Sequence, residues 1–238
     1  MWAVYKRELK SYFYSPLAYV LTGIYTLLLS LYFVSPISGA VGPINTLFGY
    51  VIYTFSILLA LILPLLTMRV LADEKKNGTE VLLMTSPNSV PSIVMGKYFA
   101  ALTVYMLMIA VTGMYPVIIA ITGKLNVASM ITSYIGYALM GAFFVAFGVF
   151  TSSLTENSII SAVIGSLGLF LVWIIHFFMD ALTGDALSAA KWISFFERFR
   201  KFIYGVISLK DFIFFFSLIG MFLALTMIVV EKKRWSQG

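Results

Sequence analysis

Long uncharged apolar runs alternate with short charged clusters along this chain. Six runs contain no Asp, Glu, Lys or Arg: Leu17–Ile37, Phe48–Met68, Tyr98–Thr122, Ile131–Leu154, Ile159–Phe178 and Phe212–Val230. A hydrocarbon layer about 30 Å thick is crossed by a helix of roughly 20 apolar residues. The pattern therefore predicts an all-α membrane protein with six transmembrane helices, forming a single membrane domain over residues 1–238. Lys6, Arg7 and Lys10 precede the first run and the small pair Ser38 and Ala40 follows it, as in a secretory signal. Its apolar core exceeds the roughly 7 to 15 residues of such a signal, so it is read as a retained span.

Two flanking stretches carry the spacing of amphipathic helices. In residues 1–16, Trp2, Tyr5, Leu9 and Tyr12 share one face, Lys6, Arg7 and Lys10 lie elsewhere, and Pro16 marks the turn into the first span. This predicts an interfacial elbow helix. In residues 191–203, Trp192, Phe195, Phe196, Phe199, Phe202 and Ile203 recur at helical spacing opposite Lys191, Glu197, Arg198, Arg200 and Lys201. Residues 180–211 are thus expected to form an outer amphipathic or re-entrant region before the last span. Trp192, Phe195, Phe196 and Phe199 would stand at the outer mouth of the bundle as a gate.

Composition agrees with the pattern. Residues are 61% hydrophobic and 11% charged, with a mean hydropathy of +0.98, whereas soluble domains run at about 25% charged. The formal charge of +6 is read as a set of orientation signals rather than a nucleic-acid surface. With both termini cytoplasmic, ten basic residues lie on the inner side and six on the outer. Five of those six crowd into the loop before the last span, against the orientation rule. This arrangement corresponds to a multi-pass membrane protein.

The chemistry an enzyme or ion-coupled carrier needs is missing from the sequence. Intramembrane ionisable side chains are functional candidates by default, and the runs offer only His176 besides tyrosine, near the outer end of the fifth run. There is no cysteine, no H-E-x-x-H and no paired aspartates in adjacent spans, so no catalytic residue, metal site or bound cofactor is expected in this chain. Gly96-Lys97 and Gly123-Lys124 lack the earlier glycine of a phosphate-cradling loop. Any uphill transport must draw its energy from another chain. Ser161, Gly165 and Gly168, overlapped by Ala162 and Ser166, give the fifth run a face suited to close helix approach, as do Gly141 and Gly148 one heptad apart in the fourth. That face serves either packing within the chain or a dimer interface.

The segment between the second and third runs, residues 69–97, is longer than a turn and mixes charges of both signs. Asn77-Gly78 and Pro87-Asn88 punctuate it. Thr79 is placed to cap a helix with Glu80 in its first turn, and Leu82, Leu83 and Met84 supply an apolar patch. A leucine patch in a charged cytoplasmic loop is built to meet a protein partner.

Within that loop, EKKNGTEVLLMTSP (residues 74–87) resembles the E-x-x-x-G-T-x-E-x-L-L-x-[ST]-x-P segment of ABC type-2 transporter permeases. TSSLTENSIISAVIG (151–165) resembles that family's short inner turn, with Thr155, Glu156 and Asn157 at its centre. Residues 196–226 resemble the outer re-entrant region and last span of the gliding-motility branch, the GldF-like permeases, with Ser208 where an Asp is usual. The resemblance implies a cytoplasmic coupling helix, with Asp73, Glu74, Lys75, Gly78, Thr79, Glu80, Leu82, Leu83 and Pro87 engaging a separate ATP-binding subunit that holds ATP and Mg. It also implies a homodimer or a pseudo-dimer with a second permease, and a membrane partner bearing an extracytoplasmic domain. The implied function is ATP-driven export of a substrate or driving of an envelope machine. The alternative is an anchoring subunit that passes ATPase motion to an extracytoplasmic partner without carrying cargo.

Overall fold

The computed structural model describes residues 1–35, 44–79, 89–122, 126–178 and 194–236, and every described element is a helix. In chain order these are α1 (Trp2–Tyr14), α2 (Pro16–Ser35), α3 (Ile44–Thr67), α4 (Arg69–Lys76), α5 (Val90–Thr112), α6 (Met114–Thr122), α7 (Val127–Leu154), α8 (Ser158–Phe178), α9 (Phe195–Ile203) and α10 (Leu209–Ser236). Five helical stretches are long and apolar enough to cross a membrane: Pro16–Phe33, Val51–Lys76, Val90–Ile121, Val127–Leu154 and Leu209–Lys232. The six-span expectation is met to that extent. The remaining apolar helix, α8, is 21 residues long, with its side chains described over the apolar stretch Ser158–Ile174.

Helix α7 is the axis. It packs against α3, α4, α5, α8, α9 and α10, and 78% of its apolar window is buried, against 28% for α2 and for α10. Small residues let its neighbours reach it. A Cβ on Gly141 would lie 2.0 Å from the Tyr105 ring, and one on Gly148 would lie 2.1 Å from Thr67 Oγ1. The small face of α8 is used the same way. Gly165 lies against Pro64 of α3 and Thr151 of α7, Gly168 lies against Phe147, and Ser161 is buried.

Breaks in the helices have local causes. The run read as one span over Tyr98–Thr122 is two helices divided at Gly113. Pro116 has no N–H for the Thr112 carbonyl one turn earlier, so the ladder is interrupted there. Helix α3 carries Pro64 and gives way to α4 at Met68. The first N–H groups of a helix lack partners within it. Here the Ser152 hydroxyl of α7 accepts from Leu71 N (3.0 Å) and Ala72 N (3.1 Å) and donates to Met68 O (2.9 Å).

Buried hydroxyls tie the apolar helices together. Tyr25 of α2 and Tyr137 of α7 share a hydrogen bond, and the Tyr105 hydroxyl of α5 donates to the Tyr137 carbonyl at 2.7 Å. Tyr115 of α6 meets Ser30 of α2 at 2.7 Å. Because Tyr105 is pinned through its hydroxyl, its ring cannot swing away from a new methyl group. Gly141→Ala is therefore expected to destabilise the protein by about 1 to 3 kcal/mol. Gly23→Ala and Gly220→Ala, where nothing lies within 4 Å, should be neutral or slightly stabilising. Thermal unfolding of the three variants in one detergent checks the order.

Candidate functional site

The site lies at the end of the bundle where α2 and α5 begin and α3 and α4 end. Helix α1 reaches it because Gly96 of α5 has no side chain. A Cβ there would sit 3.1 Å from both Met1 O and Val4 Cβ, and Val4 fills that space. One residue on, the Lys97 side chain is 1% exposed. A buried ammonium must be paired and hydrogen-bonded, and all three of its donors are matched. Lys97 Nζ lies 3.0 Å from Glu8 Oε1 of α1, 2.9 Å from Glu74 Oε1 of α4, and 2.7 Å from the Val70 carbonyl, which accepts from it. Arg7 closes the group, its Nη2 donating to both Glu8 and Glu74 at 2.8 Å. Two cations and two carboxylates from three helices thus form one neutral joint.

The electrostatics follow from that arrangement. Burial alone would raise the Glu8 carboxyl, but the Lys97 ammonium and the Arg7 guanidinium outweigh it and hold Glu8 below its ordinary 4.5. Burial pushes the Tyr12 phenol far above its usual range. Its hydroxyl donates to Leu66 O at 3.2 Å, stitching α1 to the end of α3.

A cleft of about 730 Å³ opens beside the joint. Val4, Leu17, Leu66 and Val70 give it an apolar part, and Arg7, Arg69, Asp73 and Thr79 lie along its polar part.

Several residues singled out from sequence meet here. Glu74 belongs to the joint, and Lys75 donates to the Ser153 carbonyl of α7. Asp73 lies 3.9 Å from Arg69. Gly78 has φ +68°, the left-handed region that favours glycine, and ends the turn after α4. The Thr79 hydroxyl donates back to Glu74 O at 3.3 Å. Glu80, Leu82, Leu83 and Pro87 lie outside the described residues. Helix covers 69–76 and resumes at Val90, so much of the segment read as a loop is a helical continuation of the neighbouring spans. The turn at Thr155–Asn157 caps α8: Asn157 Oδ1 accepts from Ile159 N (2.9 Å), and Asn157 N donates to Thr155 Oγ1 (3.1 Å). Glu156 lies in the same turn.

Elsewhere in the bundle the candidates behave differently. Gly165 faces α3 and α7 of the same chain, Gly168 faces α7, and Ser161 is buried. Trp192 lies outside the described residues, as does the side chain of His176. Phe195, Phe196 and Phe199, with Phe202, are buried in the core rather than laid on a surface. Phe195 stacks on Phe144 of α7, Phe196 meets Trp173 of α8, and Phe202 meets Phe212 and Phe215 of α10. Arg198, on the other side of α9, donates to Asp211 Oδ1 at 2.8 Å, and Lys201 lies 3.7 Å from the second oxygen.

Reading from sequence missed Arg7, Glu8, Lys97 and Ser152 as site residues. One signal for Lys97 was present: Ser89 followed by Pro91 is a helix start, which would place Lys97 in the second turn of the span.

Two outcomes are expected from this geometry. Lys97→Met strips the partner from two largely buried carboxylates and should cost about 3 to 5 kcal/mol, with part of the loss recovered when Glu8→Gln and Glu74→Gln are added. Unfolding temperature and the fraction eluting as a monodisperse peak report both. Glu8, lowered when folded, stabilises fully above its unfolded value, and this contribution disappears as pH falls through the lowered folded value. Hydrogen exchange across residues 2–14 should therefore stay slow from neutral pH into the ordinary carboxylate range and accelerate only below it.

Comparison with known proteins agrees with the architecture. Residues 41–203 match the family described as ABC-2 family transporter protein. No curated protein matches the chain. The match takes in α3 through α9, including the α3–α4 break at Met68, the central α7 and the buried α9, and the chain therefore belongs to the ABC-2 family of membrane transporter proteins.

Proposed function

We propose that this chain is the permease subunit of an ATP-binding-cassette transporter, driven by ATP hydrolysis in a separate subunit that docks on residues 73–87. The observation that carries the reading is the Lys97 joint. A push on the segment after Lys76 reaches α4, and α4 is fastened to α1 and α5 through Glu74 and to α7 through Lys75 and Ser152. Displacement there moves the end of four helices together, as coupling requires. The sequence has no phosphate-cradling loop of its own, which supports an ATP- and Mg-holding partner chain.

In this reading α1 is the elbow helix, both termini face the cytoplasm of a bacterial inner membrane, and the permease works as a dimer or pseudo-dimer. The resemblance of residues 196–226 to the gliding-motility branch supports an envelope machine as a load beside export of a substrate.

The test is co-purification. Glu74→Lys, Glu80→Lys and Leu82→Asp combined should detach the ATP-binding subunit or uncouple its hydrolysis while the chain still inserts. Full recovery of the ATPase with undiminished coupled activity would overturn the docking assignment.

A further inference from the structure

The charge joint leaves a second set of polar groups unused. All three donors of Lys97 are taken, but Arg7 uses only Nη2 for its two carboxylates. Arg69 and Asp73, 3.9 Å apart, are beyond hydrogen-bond distance of each other and have no other side-chain bond among the described residues. Their side chains are 54% and 38% exposed, and that of Arg7 is 55% exposed. All three line the cleft of about 730 Å³, within the range that encloses small ligands. Its apolar part, Val4, Leu17, Leu66 and Val70, sits where the apolar helices α2 and α3 meet their charged flanks. An occupant needs an apolar portion and a polar head at one boundary, which describes a membrane amphiphile.

The charges choose the head. The cleft is lined by three cations, Arg7, Arg69 and Lys97, and three carboxylates, Glu8, Asp73 and Glu74. A head of net negative charge would unbalance this set; a zwitterion keeps it neutral. Guanidinium groups suit a phosphate, which they hold in two-pronged hydrogen bonds. The Asp73 carboxylate, which meets Arg69 at ion-pair distance without a hydrogen bond, suits an ammonium that can donate. We propose that the cleft between α1 and α3–α4 binds a zwitterionic phospholipid with a primary amine, a phosphatidylethanolamine, its phosphate on Arg69 and Arg7 and its ammonium on Asp73. The lipid would then pack beside the joint that links α1 to α4, so that the membrane sets the stiffness of the coupling end. The site shares Asp73 with the proposed docking segment 73–87, so the lipid and the ATP-binding subunit are told apart by their separate readouts.

Native mass spectrometry of the full chain, delipidated in detergent and titrated with phosphatidylethanolamine, phosphatidylcholine and phosphatidylglycerol of matched acyl chains, tests it. Phosphatidylethanolamine should be retained about tenfold more strongly than the other two, the worth of one charge-assisted hydrogen bond. Arg69→Gln should lower its retention by a similar factor, and Asp73→Asn should erase its advantage over phosphatidylcholine. Water-soluble glycerophosphoethanolamine should fail to displace the lipid. Equal retention of the three lipids by the unaltered protein overturns the proposal whether or not the variants fold. Displacement by the soluble head group would assign the cleft to a free phosphodiester instead. If Arg69→Gln keeps its lipid but loses the ATP-binding subunit, the rim is a protein interface and the lipid site is wrong, while the permease reading survives.

Discussion

A lysine buried to 1% exposure is the constraint around which one end of this bundle is built. An ammonium in that position is tolerable only if charge and hydrogen-bonding capacity are both satisfied, and Lys97 needs helices α1, α4 and α5 to satisfy them. Neither α4 nor α5 can leave alone without stranding a charge, and α1 cannot leave without taking one of the Lys97 partners with it. The Ser152 hydroxyl and the Lys75 ammonium then fasten α4 to α7. Polar chemistry therefore converts four helix ends into one body, in a place where apolar packing alone would permit sliding.

Helix α9 is held by the opposite balance. Each of its four buried phenylalanines contributes roughly 1.5 to 3 kcal/mol, while a buried ion pair such as Arg198–Asp211 is close to neutral against an apolar replacement. Attachment therefore comes from the aromatic contacts with α7, α8 and α10, and the ion pair fixes the angle at which α9 returns to α10. Gly205, at φ +83°, supplies the left-handed turn between them, its N–H donating to Phe202 O at 3.1 Å. The aromatic face was legible from spacing. Its destination was not, because a periodicity of bulky residues looks the same whether the face meets lipid or protein.

The same limit explains what the sequence showed of the whole fold. Apolar runs of sufficient length marked the helices, and the cluster at Trp2, Tyr5, Leu9 and Tyr12 marked α1. Boundaries failed where charge was taken as a stop signal. Arg69, Lys97 and Asp211 each lie within a helix, continuing or opening an apolar one, and the two buried among them are tolerated because a partner on another helix neutralises them: Glu8 lies 89 residues from Lys97, and Arg198 lies 13 from Asp211. Local sequence holds no record of such pairing. Gly96-Lys97, which as a nucleotide motif is incomplete, is instead a contact device, the glycine admitting α1 and the lysine binding it. Glu74 was the one member of the joint visible beforehand, through its place in the family-like segment.

Lipid supplies no hydrophobic drive for helix association, so packing of small residues and interhelical hydrogen bonds decide which helices belong together. In the described residues both converge on α7. Gly141 and Gly148 admit Tyr105 and Thr67, Tyr137 bonds Tyr25 and Tyr105, and Ser152 holds the α3–α4 break. Helices α2 and α10 have the fewest buried positions of the five long apolar stretches. Helix α4 is tied directly to the central helix, through Ser152 and Lys75. The broad apolar faces of α2 and α10 are the surfaces left for lipid or for another subunit, and the one buried charge among their described residues, Asp211 at the start of α10, is held by Arg198 of α9.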